Sequence, residues 1–275
     1  MAFESTRRGF LGGAVAAGLA GPAPVEEGAT DLKLGVATYS LREFQRGLAI
    51  RTIKQLQVVY VGIKEVHLAY RATPDELRRG ARDFTDAGLV IASGSTVYML
   101  KDDDDDIRRY FEYAKTCGMP LMVIGTTLQA LPRVEKFVKE YGIAVALHNH
   151  GPEDRNFPSP QVALKAIRGM DPRVGVCIDV GHTTRTGVGA VESIREAGPR
   201  LLDMHMKDLR DLMKKDSQCP VGDGAMPLAE IFKTLKAMNY QGCVNLEYEI
   251  DADNPLPGMA KSFGYMRGVL AGLRA

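Results

Sequence analysis

Five histidines occur in the 275-residue chain: His67, His148, His150, His182 and His205. None lies in a stretch with helical patterning. Each falls at or just beyond the end of a short apolar run that reads as a strand. One histidine in such a place is ordinarily a satisfied core or loop residue; the repetition is what argues for chemistry. Carboxylates stand in equivalent places, with Asp179 closing one apolar run and Glu247 and Glu249 closing another. Imidazole nitrogens and carboxylate oxygens converging from several strands are the donors a divalent ion needs. The mixture suits Mn²⁺, Zn²⁺, Co²⁺ or Fe²⁺ better than Ca²⁺. Residues two apart on a strand share a face, so His148 and His150 point to one side and Asn149 to the other. By the same parity His205 pairs with Lys207, and Glu247 with Glu249.

Strands that could carry these residues are expected at 34–38, 63–68, 89–93, 121–125, 143–148, 174–179, 201–206 and 243–248. These runs are continuously apolar rather than alternating, as in parallel strands covered on both faces. Amphipathic stretches separate them. Thr73-Pro74-Asp75-Glu76 and Ser159-Pro160 read as helix starts, with proline at the first helical position. The acidic run Asp102 to Asp106 reads as a solvated helix start favoured by the helix dipole rather than a cation site. Gly88, Gly118, Gly142 and Gly242 fall where left-handed helix ends are common. A strand every 25 to 30 residues or so, eight times over residues 31–275, implies a single (β/α)8 TIM barrel. A doubly wound sheet is the alternative, but no Gly-x-Gly-x-x-Gly follows the first strand. In a barrel the C-terminal strand ends share one mouth. Tyr39, His67, His148, His150, Asp179, His182, His205, Lys207, Glu247 and Glu249 would gather there, under a long loop from Lys207 to Leu228.

Composition narrows the partners. Lysine plus arginine total 35 against 34 acidic residues, a net charge of +1. That gives no electrostatic case for nucleic acid or for an acidic membrane surface. Beyond the N-terminus no apolar stretch reaches the roughly 18 residues of a membrane span. Cys117, Cys177, Cys219 and Cys243 form no C-x-x-C pair, and Cys177 and Cys243 read as small buried hydrophobes. Arg7-Arg8 precedes a small, apolar stretch from Leu11 to Ala20, followed by Pro22-Ala23-Pro24. That order resembles a twin-arginine export signal and implies a periplasmic protein, so residues 1–30 are set apart from the fold.

Four motifs in chain order carry a wider resemblance. His148-Asn149-His150-Gly151, Ile178-Asp179-Val180-Gly181-His182, Met204-His205-Met206-Lys207-Asp208 and Leu246-Glu247-Tyr248-Glu249 resemble the sugar phosphate isomerase/epimerase family, of the xylose-isomerase-like TIM barrel superfamily. The resemblance runs from about residue 32 to the C-terminus. It implies one divalent metal ion, Mn²⁺ first and Zn²⁺, Co²⁺ or Fe²⁺ as alternatives, held by His148, Asp179, His205 and Glu247. Many relatives carry glutamate in place of His148 and at the end of strand two, where His67 stands here. An epimerase that shuttles protons between two opposed carboxylates would lack one of them.

Such an ion polarises a carbonyl and its neighbouring hydroxyl, so a base can take the adjacent C–H proton to give an enediolate. Glu247, as ligand and base, and His150 are the expected catalytic groups. His67, His182, Lys207, Tyr39 and Arg185 are the expected substrate contacts. Return of the proton gives isomerisation or epimerisation, and loss of a substituent gives elimination. Relatives with histidine-rich sites cleave glycosides oxidised at C3, which makes a 3-keto-glycoside lyase the alternative to a keto-sugar isomerase or epimerase. Export argues for an unphosphorylated sugar, and no glycine-rich phosphate loop is present. A small carbohydrate is thus the expected partner, and an oligomer is compatible with the fold. A non-catalytic sugar-binding barrel and a three-zinc DNA-repair endonuclease are the readings from other classes; the charge argues against the second.

Overall fold

A computed structural model describes residues 32–274; the export-signal expectation lies outside them. Eight parallel strands close a barrel: β1 (Lys33–Ala37), β2 (Tyr60–Ile63), β3 (Val90–Met99), β4 (Leu121–Thr126), β5 (Ala144–His148), β6 (Val174–Asp179), β7 (Leu201–Met206) and β8 (Cys243–Leu246). β1 pairs with both β2 and β8, which shuts the ring. The expected (β/α)8 architecture is the observed one. Among the described residues, no helix is long and apolar enough to cross a membrane.

The helices that pack around the barrel are α1 (Arg46–Gln55), α2 (Pro74–Asp86), α3 (Asp104–Thr116), α4 (Leu131–Tyr141), α5 (Pro160–Ala166), α6 (Val180–Arg185), α7 (Ala190–Ala197), α8 (Leu228–Ala237) and α9 (Leu256–Gly272). Local chemistry starts and stops them as the sequence implies. Thr73 and Glu76 form a reciprocal capping box before α2. Asp103 caps α3, and Asp104 is paired with Arg133 and Lys136 of α4, so the acidic run is a helix start. Gly88, Gly118 and Gly142 take left-handed conformations, but Gly242 does not; Asn239, at φ 51°, makes that turn after α8.

The main core lies between strands and helices, with Phe84, Phe111, Phe137, Phe232 and Phe263 fully buried. Inside the barrel a small apolar layer of Val123, Ala146 and Cys177 is joined by a polar layer. There the Asp203 carboxylate accepts from Ser93 Oγ at 2.8 Å and Asn245 Nδ2 at 2.7 Å. Gly35 leaves room for it, since a Cβ there would lie 2.3 Å from Asn245 Oδ1.

Two strands depart from expectation. β2 spans Tyr60–Ile63 and shares only residue 63 with the expected strand 63–68, because the chain leaves the sheet at Lys64. The Lys64 backbone N–H donates to Thr38 Oγ1 at 2.9 Å, and the His67 N–H closes a turn onto the Lys64 carbonyl. His67 is therefore a turn residue. β3 runs on to Met99 through a register shift between Gly94 and Val97, where Thr96 is forced to φ 27°. The bulge breaks the alternation of the strand and re-aims the side chains after Thr96.

Candidate active site

The C-terminal ends of β5 to β8 bring His148, Asp179, His205 and Glu247 together, all buried, each offering a donor atom within 4.8 Å of the others. His148 Nε2 lies 2.9 Å from His205 Nδ1, which in turn lies 3.1 Å from Glu247 Oε2. Glu247 comes one residue beyond β8 and is held there by its N–H donating to the Met206 carbonyl. Parity holds on β5: Asn149 points away, accepting from the Asp179 N–H and donating to Thr183 Oγ1. Asn149 thus fixes the strand end that presents Asp179.

Lys207 is the site's fixed cation. Its buried ammonium lies 3.1 Å from Asp179 Oδ2 and 3.0 Å from Glu247 Oε2, and it donates to Glu249. Burial opposes the charge of Glu247, but His205 and then Lys207 outweigh it and hold this carboxyl well below the usual range. Burial drives the His148 imidazole well below its ordinary value, and it also pushes His182 down to about 3, so both rings are neutral donors.

A divalent ion fits these residues. Asp179 Oδ2 is buried and accepts no hydrogen bond, although the Lys207 ammonium lies 3.1 Å from it as an ion-pair partner. Two ring nitrogens and two carboxylate oxygens, from His148, His205, Asp179 and Glu247, lie within 4.8 Å of one another there.

Around this centre the other expected residues divide. His150 stands beside His148, with ring centroids 4.3 Å apart. Its Nδ1 is 3.4 Å from Asp154 Oδ2, and its Nε2 shares a 3.1 Å hydrogen bond with Tyr98 Oη. His182 sits in the short helix α6, contrary to the expected non-helical placement, because Asp179 accepts its N–H and caps the turn. Its Nε2 is 3.9 Å from Asp179 Oδ2, and its Nδ1 accepts from Arg185 at 3.1 Å. Arg185 is tied to Glu153 as well as to His182. Tyr39 follows β1 in a half-buried turn, its ring 5.0 Å beneath the Arg42 guanidinium. His67 is not brought to the cluster: its ring nitrogens meet Thr38 Oγ1 at 3.0 Å and the Phe44 carbonyl at 3.1 Å.

Lys64 and Tyr98 carry no signal in the sequence, whereas Cys177, expected to be a small buried residue, is one and stands against the site. Lys64 is buried at the end of β2, donates to the Thr96 carbonyl at 2.5 Å and lies 5.2 Å above the Tyr98 ring. Tyr98 stacks on His150 at 5.9 Å. Neither gave a signal: Tyr98 lies past the expected strand end at residue 93, beyond the Thr96 bulge, and Lys64 falls inside the expected strand 63–68 that in fact ends at Ile63. Cys177 is buried against His205, and burial pushes its thiol up to about 12. Its place two residues before Asp179 was a legible sign that it faces the barrel interior.

Comparison with known proteins agrees with this architecture. An inosose dehydratase of Bacillus velezensis is 27% identical over 149 residues, 48% of this chain and 49% of that protein. The chain spans about half the length of the curated relatives it matches. The structure of 3-keto-D-glucoside 4-epimerase YcjR from E. coli superposes with a TM-score of 0.70 at 17% identity, covering 86% of this chain and 100% of that one. The IolI protein with a bound zinc atom superposes with a TM-score of 0.71 at 17% identity, covering 88% and 99%. At such identity these structures show the fold. The model of the xylose isomerase-like TIM barrel family matches residues 57–269, and the chain belongs to that family.

Proposed function

We propose that the protein is a divalent-metal-dependent enzyme of isomerase or epimerase type that removes the proton beside the carbonyl of a keto-sugar. The observation that carries this is the gathering of His148, Asp179, His205 and Glu247, each with a donor atom within 4.8 Å of the others and with Asp179 Oδ2 accepting no hydrogen bond, beside His150 at the edge of the cluster. His148, Asp179, His205 and Glu247 would hold the ion, Mn²⁺ in the first instance. When bound it would polarise the carbonyl and neighbouring hydroxyl and so acidify the C–H of the carbon that bears the hydroxyl. Glu247 and His150 are the two groups placed to take that proton. Tyr98 and Asp154 fix the His150 ring from its two nitrogens. Lys207 supplies positive charge next to Glu247 and so favours an anionic enediolate at the mouth. Return of the proton to the neighbouring carbon isomerises the sugar, and return to the opposite face epimerises it.

A second reading is elimination from a 3-keto-glycoside, supported for the keto-glycoside by the similarity to a 3-keto-D-glucoside 4-epimerase and for the loss of a substituent by that to an inosose dehydratase. The C2 proton passes to the base, a C1–C2 double bond forms as the C1–O bond breaks, and the aglycone oxygen leaves with a proton. Deuterium from D₂O tests the shared first step. Metal-loaded protein should place the label at the carbon beside the carbonyl of a keto-sugar or 3-keto-glycoside, and absence of exchange and product across both classes favours a sugar-binding barrel. In the same assay His150→Ala should lower exchange by about 10²-fold or more with metal content unchanged, the usual contribution of a positioned base. Full exchange in that variant would leave Glu247 as the sole base.

The export reading stands as part of the proposal and is supported by Arg7-Arg8 and the small apolar stretch behind it. Arg7→Lys together with Arg8→Lys should retain the protein in the cytoplasm on fractionation. Unchanged periplasmic delivery would remove the twin-arginine assignment.

A further inference from the structure

The mouth of the barrel is divided by polarity. His148, Asp179, His205, Glu247 and Lys207 occupy the ends of β5 to β8, and Lys64, a buried charge at the end of β2, is paired with Glu65. On the opposite arc, the ends of three adjacent strands each present a large apolar side chain to solvent. Val66 follows β2 and is 50% exposed, Leu100 follows β3 at 52%, and Leu128 follows β4 at 59%. Strands β2, β3 and β4 are direct neighbours, so these turns lie side by side along one edge of the mouth. A run of exposed apolar side chains beside a polar pocket marks a binding surface more often than a random surface does.

Tyr98 joins the two halves. It is 46% exposed, its ring stacks on His150, and its hydroxyl meets His150 Nε2. Two features of the chain put it there. The Thr96 bulge turns it into the mouth, and Gly125 on β4 leaves the space beside it, since a Cβ at that position would lie 2.6 Å from Tyr98 Cδ1. The ring thus runs from the polar cluster toward the apolar edge.

We propose that Val66, Tyr98, Leu100 and Leu128 form a subsite for an apolar group, aryl or alkyl, carried by the sugar whose carbonyl lies at the metal centre. The substrate is then an amphipathic glycoside rather than a free sugar, because a free sugar would fill the polar half and leave the apolar arc in water. This rests on the keto-sugar reading of the site and adds the chemistry of the attached group.

The test compares phenyl and methyl 3-keto-D-glucopyranosides, both anomers, by calorimetric titration into the metal-loaded full chain. The phenyl compound of the preferred anomer should bind about tenfold or more tightly than its methyl counterpart, from burial of the ring. The combined variant Leu100→Ser with Leu128→Ser should lose most of that preference while keeping its metal content and its affinity for the methyl compound. Equal affinities in the unaltered protein overturn the subsite; if the methyl compound still exchanges its C2 proton with D₂O, the keto-sugar reading survives alone. Absence of both binding and exchange removes that reading and the subsite with it. A variant that keeps the phenyl preference but falls to a lower mass in solution identifies the apolar arc as a contact between two copies of the chain, which also overturns the proposal.

Discussion

His205→Ala releases the divalent ion and lowers turnover by roughly a thousandfold or more, since loss of even an outer-shell partner of a metal ligand costs about 10–100-fold. The His205 ring is the hub of the cluster, 2.9 Å from His148 Nε2 and 3.1 Å from Glu247 Oε2. Asp179→Asn makes the same point with less structural risk. Asp179 Oδ1 accepts the His182 N–H and caps α6, a role an asparagine oxygen can keep, whereas the unsatisfied Oδ2 becomes an amide that cannot serve as an anionic ligand. Metal analysis after gel filtration, with circular dichroism as the check on folding, decides the matter. Stoichiometric metal in both variants would displace the assignment to another group of side chains.

Lys207→Met destabilises the metal-free protein by about 3–5 kcal/mol, the usual cost of removing one partner from a buried ion pair. For a chain of this size that lowers the melting temperature by about 10 °C. The buried carboxylates of Asp179 and Glu247 would be left facing each other without their shared cation. The sign of the pH dependence is set by Glu247. Its carboxyl is held below its unfolded value, so its stabilising contribution is fully present above that value, about 4.3, and is lost as pH falls through the folded one. The difference between Lys207→Met and the parent is therefore constant from neutrality down to about pH 4.3 and narrows only below it, as pH falls toward the depressed folded value of Glu247. Added divalent metal should restore more stability to the variant than to the parent, because the ion replaces the missing charge. A variant that melts with the parent at pH 7 would mean the ammonium is not what neutralises these carboxylates.

Much of this site was legible because it depends on parity and strand order. His148 and His150 flank Asn149 where β5 ends, and His205 and Lys207 flank Met206 where β7 ends, and the alternation of the pleat carries on for the one or two residues past each strand. The four proposed ligand positions lie at or one residue past the ends of four strands consecutive in the ring, the simplest part of the topology to count. What could not be read arises where the backbone is irregular. Val66-His67-Leu68 has the composition of a strand, but Thr38 and Thr96 draw Lys64 out of the ladder and the chain turns instead. Tyr98 was hidden by the bulge at Thr96, whose φ of 27° no residue preference at that position announces. His182 was placed outside helices because the six residues of α6 are too few to show periodicity. Asn239 rather than Gly242 makes the turn after α8, since asparagine also tolerates the left-handed region.

The most direct test of the central claim is a crystal of the protein grown with Mn²⁺ and measured on both sides of the manganese absorption edge. The account predicts one strong anomalous peak per chain, bounded by His148, Asp179, His205 and Glu247 within about 2.0–2.3 Å of their donor atoms. A peak at other residues, or no peak while Lys207 keeps its contacts to Asp179 and Glu247 at saturating metal, would contradict it.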